Sequence, residues 1–178
     1  MRLRESVPAL LLAAMCTVAA PAHADPPPRA EMITALSGFE HGPDLGAIRN
    51  WGVASTRTLM DIADDAHVLP HARVRALYAL RAFPTEPSVR DYLRVVANDS
   101  NRPLLFRRAA FDALAEGFSD IETLTRWLHD PASDVRDGAA WALSHVHSAS
   151  ARTALEEAMR TERDETVRIT LRNALQNR

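Results

Sequence analysis

The sequence predicts an all-α protein, an α-solenoid of about four helix–turn–helix repeats preceded by an N-terminal helical cap. Four Ala-Leu pairs recur along the chain at intervals of 34, 29 and 32 residues. Their leucines are Leu80, Leu114, Leu143 and Leu175. An arginine precedes each of these leucines by seven residues. No segment sustains the strict apolar–polar alternation that is typical of a β-strand, so each recurring unit is interpreted as helical.

Residues 1–24 have the pattern of a secretory signal peptide. Two arginines precede the apolar run VPALLLAAMCTVAA, and Ala22-His23-Ala24 puts small residues at the two positions that a signal peptidase reads. The run is too short for a comfortable membrane span. We therefore expect a periplasmic or secreted protein that starts near Asp25 and has no stable membrane span after cleavage. The alternative is an uncleaved N-terminal anchor.

Composition narrows the possible functions. Cys16, the one cysteine of the chain, lies in the predicted signal peptide. A cleaved chain would therefore have no disulfide, no cysteine nucleophile and no cysteine metal ligand. The formal net charge is −2 and there is no basic cluster, which argues against a nucleic-acid partner. We predict no cofactor.

Residues 25–53 differ from the repeats that follow. DPPP is a proline-rich, extended lead. EMITALSGF and PDLGAIRNWG each predict a short helix, punctuated by Gly42-Pro43 and Gly52. We interpret this part as an N-terminal cap, because the end of a repeat array must cover its exposed core. A degenerate fifth repeat is the alternative.

Residues 54–178 divide into four units, each with two amphipathic helical runs joined by a turn. Their approximate bounds are 54–85, 86–119, 120–149 and 150–178. The third unit is the clearest, with IETLTRWLHD, the turn formers DPAS and then DVRDGAAWALSHV. Asp134 is expected to cap the second helix of that unit. Stacked pairs bury the apolar faces that a single pair would leave exposed.

An Asp-Pro turn followed by Val-Arg and then by Ala-Leu resembles the HEAT repeat family, above all its short bacterial and phycobilin-lyase-type members. The resemblance covers roughly residues 54–178. DPASDVRDGAAWAL matches best, and PLLFRRAAFDAL matches worst because Phe106 replaces the valine. The resemblance implies that the second helix of each unit lines a concave surface.

Binding residues are predicted from the second helix of the third unit. On a helical wheel, Val135, Ala139 and Leu143 share the core face, whereas Trp141 and His145 point away from it. The resemblance implies that these two positions and their equivalents in other units face the inner groove. The candidate binding residues are Tyr78, Asp112, Glu116, Trp141 and His145. Exposed aromatic rings beside carboxylates are typical of a binding patch; the alternative is that Trp141 covers apolar stems of a neighbouring repeat.

The repeated arginines lie near the core edge of each second helix. They are Arg73, Arg107, Arg136 and Arg168. We predict a structural role, in which each arginine pairs with an aspartate or a helix end in the next repeat. The alternative is a phosphate or carboxylate ligand held by the first three of them.

The sequence contains no recognisable catalytic or metal-binding motif. His67 and His71 are separated by Pro70 at a predicted helix boundary, so they do not form an i, i+4 metal-binding pair, and we predict no metal site. G-x-S-x-G, P-loop and H-E-x-x-H motifs are absent, and we predict no catalytic residue. The interpretation is a non-enzymatic, exported scaffold or adaptor that binds a protein or peptide through its concave face. The alternative is a phycobilin-lyase-like or metal-dependent enzyme on the same repeats.

Overall fold

The computed structural model describes residues 25–38 and 44–176. The predicted signal peptide lies outside these ranges. The described part contains α1 (Arg29–Ser37), α2 (Leu45–Asn50), α3 (Ser55–Asp64), α4 (Pro70–Ala79), α5 (Pro87–Asn98), α6 (Leu104–Phe118), α7 (Ile121–Trp127), α8 (Ser133–Ser144), α9 (Ala149–Thr161) and α10 (Glu165–Gln176). A 3-10 turn, Leu80–Ala82, extends α4. The protein is all-α over these residues, as predicted.

Helices α1 and α2 precede the repeats and cover the N-terminal end of the core. Met32, Leu36 and Ile48 are fully buried against it. The guanidinium of Arg75 on α4 donates hydrogen bonds to the backbone carbonyls of Leu36 and Gly38, which fastens the end of α1 to the first repeat. Proline-rich residues 25–28 run extended into α1. Gly42-Pro43 lies outside the described residues.

The remaining helices form four antiparallel pairs, α3/α4, α5/α6, α7/α8 and α9/α10. Their starts follow local rules. Pro70 and Pro87 occupy the first position of α4 and α5, where a missing N–H costs nothing. The carboxylate of Asp120 caps α7, and the hydroxyl of Ser148 caps α9 by accepting from the backbone N–H of Ala151 at 3.1 Å.

The predicted cap at Asp134 is wrong. Helix α8 begins at Ser133, and its N-cap residue, Ala132, offers no side-chain hydrogen bond. Asp134 therefore lies inside the first turn, where its charge still favours the helix dipole. The Asp-Pro turn itself is closed by Asp130, whose Oδ1 accepts from the backbone N–H of Ala132 at 2.8 Å.

One continuous apolar core runs between the helices. It is rich in alanine on the second helices, and small side chains let neighbouring helices approach closely. Phe111 and Leu114 on α6 and Leu143 on α8 are fully buried within it. No helix in the part of the chain that the structure describes is both long and apolar enough to cross a membrane.

Candidate binding groove

The second helices form one packed row. Helix α4 packs on α6, α6 on α8, and α8 on α10, whereas contacts between successive first helices are sparser. In a superhelical array, the row whose helices lie closer together is the inner one. The exposed side of α4, α6, α8 and α10 is therefore the inner surface of the array.

Two depressions lie on this surface and share one wall. The N-terminal depression measures about 220 Å³ and is lined by Val74, Tyr78, Leu105, Arg108, Ala109, Asp112, Gly138 and Trp141. The C-terminal depression measures about 280 Å³ and is lined by Trp141, Ser144, His145, His147, Thr170, Asn173 and Ala174. We call the two together the binding groove. Trp141 lines both depressions and stands between them.

Trp141 lies on the exposed side of α8, and His145, which caps the C-terminal end of that helix, is also exposed. Trp141 is 54% exposed. The two rings meet edge to face, with centroids 5.0 Å apart and planes at 75°. This contact lies one helical turn along α8 and restricts the indole without covering it. The indole is therefore a held aromatic surface that remains open to solvent.

Tyr78 and Asp112 meet across the contact between α4 and α6. The phenolic O–H of Tyr78 donates to Oδ2 of Asp112 at 2.6 Å. Asp112 is only 7% exposed, so it lies at the floor of the N-terminal depression rather than on an open surface. The helical wheel gave its direction, but α4 covers it. Burial raises the pKa of the Asp112 carboxyl, while the bond from Tyr78 and the nearby His145 and Arg108 act to lower it.

Glu116 lies one turn beyond Asp112 and is engaged in an ion pair. Its carboxylate contacts the guanidinium of Arg81, which follows α4. The same guanidinium lies over the ring of Tyr78, with Cζ 4.9 Å from the ring centroid. Glu116 lines neither depression, and its charge is paired with Arg81 within the protein.

A second ion pair along the groove was not predicted. Nη2 of Arg108 donates to Oδ2 of Asp137 and to the backbone carbonyl of Asp134, both at 2.7 Å. The other carboxylate oxygen of Asp137 accepts from the hydroxyl of Thr170 at 2.6 Å. Arg108 and Asp137 each follow a repeat arginine by one position, so a charge comparison at equal register would have found this pair.

The repeat arginines hold the helix pairs together. Nε of Arg73 donates to the carbonyl of Ala63 at 3.1 Å, and Nε of Arg107 donates to that of Ala97 at 3.0 Å. Nη1 of Arg136 reaches the carbonyl of Asp130 at 2.9 Å, and Nη1 of Arg168 reaches that of Glu162 at 3.2 Å. Arg73, Arg107 and Arg168 therefore bond the carbonyl end of the helix before them, which favours the helix dipole. Arg136 instead bonds the turn that follows α7.

These carbonyls belong to the arginine's own unit, whereas we expected a partner in the next unit. The reason is geometric, because the end of the first helix turns back beside the start of the second. Arg136 alone also forms a two-pronged pair with Glu162 of the next unit, at 2.7 and 2.8 Å. None of the four arginines lines either depression. Arg136 lines a separate pocket of about 280 Å³, where its guanidinium is already paired with Glu162.

The histidine cluster does not form a metal centre in the described residues. His67 precedes α4, whereas His71 lies in its first turn after Pro70. Among residues 25–38 and 44–176, no group of three or more His, Cys, Asp or Glu side chains is arranged to hold a metal ion.

Residues 105–176, from α6 to α10, match the family model of HEAT repeats. These residues contain HEAT repeats. No protein in a search of curated sequences matches it. Among solved structures, this chain is similar to a chain in the complex of CpcE and CpcF of phycocyanin lyase from Nostoc sp. PCC7120. That match has a TM-score of 0.59 at 20% identity, and it covers 82% of this chain and 96% of the other. At this identity the similarity is one of fold.

Proposed function

We propose that this HEAT-repeat protein is a non-enzymatic scaffold or adaptor that binds a protein or peptide partner along the binding groove. The observation that carries the proposal is Trp141, a large aromatic side chain left 54% exposed between two depressions of the inner surface. Tryptophan is enriched among the residues that dominate binding energy at protein interfaces. HEAT repeats stack into extended surfaces of the kind that such interfaces use.

The sizes of the depressions support a macromolecular partner. At about 220 and 280 Å³, each is smaller than the roughly 300–1,000 Å³ that pockets for drug-sized ligands occupy. Each therefore suits single side chains rather than a whole cofactor. Two such depressions on either side of Trp141 fit successive side chains of an extended chain or of a helix.

Export is part of the proposal and is supported by the sequence of residues 1–24 alone, with its two arginines, apolar run and Ala22-His23-Ala24. We infer that the partner is encountered in the periplasm or outside the cell. An envelope extract is therefore the appropriate source in which to look for it.

Site-specific photo-crosslinking tests the groove. A photoreactive amino acid replaces Leu105, which is 60% exposed and lines the N-terminal depression. The matched control places it at Val95, which is 65% exposed on the first helix α5. After illumination in an envelope extract, Leu105 should give a discrete polypeptide adduct that Val95 does not give. Adducts from both positions, or from neither, would contradict the proposal.

A second arm tests the aromatic residues. The double variant Trp141→Ala, Tyr78→Ala should lose the adduct formed from Leu105 while its far-ultraviolet circular dichroism stays that of the unsubstituted protein. Val95→Ala, which removes exposed apolar surface from the outer layer instead, should retain it. An adduct that survives in the double variant would show that the two rings do not form the recognition surface.

A lyase-like role is the second candidate, and the fold shared with a phycocyanin lyase complex favours it. Such a role would require the protein to hold a bilin. Adding a bilin to the purified protein should then change its visible absorption spectrum, and an unchanged spectrum would exclude this role.

A further inference from the structure

The charges around the N-terminal depression do not balance. Arg108 and Asp112 line the depression. Arg81, Glu116 and Asp137 lie beside these two residues, and His145 is near enough to Asp112 to act on its charge. Arg81 pairs with Glu116, and Arg108 pairs with Asp137. The carboxylate of Asp112 is left over, and its partner among the described residues is the uncharged hydroxyl of Tyr78. With His145 counted as neutral, these groups carry one excess negative charge, and it lies on Asp112 at the floor of the depression.

Asp112 is held in a way that leaves one oxygen for a ligand. Tyr78 donates to Oδ2, and within the described part of the chain no donor is directed at Oδ1. Asp112 is 7% exposed and forms no ion pair with another described residue, which is costly to an isolated fold. Burial accordingly raises its pKa. A cation supplied by a ligand would compensate that cost.

The walls of the depression match the rest of a long cationic side chain. Val74, Leu105 and Ala109 provide apolar surface, on which the methylene stem of arginine or lysine packs while its charged head reaches further. The exposed indole of Trp141 closes the other side, and a guanidinium stacks on such a face. Arg108, which is also in the lining, has its guanidinium paired with Asp137 and bonded to the backbone carbonyl of Asp134.

We propose that the N-terminal depression binds a basic side chain, arginine or lysine, of a partner polypeptide, with its charge on Asp112 and its flank on Trp141. This inference rests on the proposed function and names the chemistry of the partner's anchoring residue. It commits to a polypeptide rather than to a free cation, because the groove continues past Trp141 into the C-terminal depression.

The test uses Nα-acetyl-arginine amide as the probe. Nα-acetyl-citrulline amide has nearly the same shape without the charge, and Nα-acetyl-glutamate amide has the opposite charge. The protein is labelled with 5-fluorotryptophan at Trp51, Trp127 and Trp141, and fluorine NMR reports each indole. The resonance of Trp141 is assigned by its loss in Trp141→Phe. The arginine probe should shift this resonance saturably and leave the other two unchanged.

The citrulline and glutamate probes should shift the Trp141 resonance at least tenfold more weakly than the arginine probe. Asp112→Asn should weaken the arginine probe at least tenfold, because asparagine keeps an acceptor for Tyr78 but removes the charge. Glu157→Gln, the same type of change on the exposed side of α9, should leave it unaltered. Equal shifts of the Trp141 resonance with the arginine and citrulline probes, or a larger shift with the glutamate probe, would overturn the basic anchor.

The outcomes separate this inference from the proposed function. A polypeptide adduct from Leu105 with no response of Trp141 to the arginine probe would overturn the basic anchor and leave the groove as a protein-binding surface. Arginine binding with no polypeptide adduct would overturn the polypeptide source. Absence of both would overturn both proposals.

Discussion

The hydroxyl of Tyr78 and the carboxylate of Asp112 form a 2.6 Å hydrogen bond that joins the second helices of two successive repeats. The two residues hold the same position in their units, and Trp141 holds it in the next. The contact thus belongs both to the packing of the array and to the floor of its groove. Substitutions at either residue should separate these two roles.

Tyr78→Phe removes the donor and leaves Asp112 buried without its hydrogen bond. We expect a loss of about 1–3 kcal/mol in the free energy of unfolding, measured by urea denaturation. Tyr92→Phe is the matched control, since the hydroxyl of Tyr92 donates to Asp64 at 2.8 Å but Asp64 keeps its ion pair with Arg102. Equal losses in the two variants would contradict this assignment of the Tyr78 bond.

Asp112→Asn should have the opposite effect on stability. Burial raises the pKa of Asp112 above its ordinary value of 3.8, so folding favours the protonated carboxyl. The contribution of this protonated carboxyl to stability is therefore present below pH 3.8 and is lost as the pH rises. The amide avoids that loss and still accepts from Tyr78. We expect a gain of about 1 kcal/mol at neutral pH that shrinks toward pH 3.8.

Asp137→Asn provides the contrast for this measurement. It breaks the charge pair with Arg108 and weakens the bond from Thr170, so it should destabilise the protein at neutral pH. Urea titrations of both variants from pH 3 to pH 7 check the signs. Destabilisation by Asp112→Asn at neutral pH would show that the charge of Asp112 is compensated within the fold.

The stabilising contribution of Glu162 should be lost in acid. Two hydrogen bonds from Arg136 and backbone donors at Arg163 and Asp164 lower the pKa of Glu162 from 4.5 to about 2. The ionised carboxylate therefore contributes stability above pH 4.5, and this contribution is lost as the pH falls toward about 2. Glu162→Gln should be less stable than the unsubstituted protein at neutral pH, and the difference should narrow in acid.

Urea midpoints measured between pH 2.5 and pH 7 check this dependence. Glu157→Gln, on the exposed side of α9, should follow the unsubstituted protein at every pH. A difference between Glu162→Gln and the unsubstituted protein that does not change with pH would mean that the pairing with Arg136 is not the source of the acid sensitivity.

The repeat arginines should differ in importance despite their equal register. Arg107 is 7% exposed, and its guanidinium lies 4.8 Å from the ring centroid of Trp127. Lysine lacks the planar guanidinium that stacks on the ring and the several N–H donors of arginine. Arg107→Lys should therefore lower the free energy of unfolding by about 1–3 kcal/mol. Arg168→Lys should cost about 1 kcal/mol or less, because the side chain of Arg168 is 36% exposed. Urea denaturation distinguishes them, and equal costs would argue that the bond to the helix carbonyl dominates.

Much of the fold was determined by the sequence itself. The recurrence of Ala-Leu with an arginine seven residues earlier predicted four helix pairs. The turn formers predicted the boundary between the two helices of a pair. Periodicity was sufficient because helix formation and the stacking of similar units depend on local pattern and on contacts with the next unit. The same register also placed Trp141 and His145 on the exposed side of α8.

The tertiary structure alone decided how the charges of the groove are used. A helical wheel gives the direction of a side chain, but it does not show which neighbouring helix covers it. Asp112 is therefore buried under α4 although its direction was predicted, and Arg108 is neutralised by Asp137 from the next repeat. Helix-to-helix distances set these pairings, and they leave one buried carboxylate beside an exposed indole.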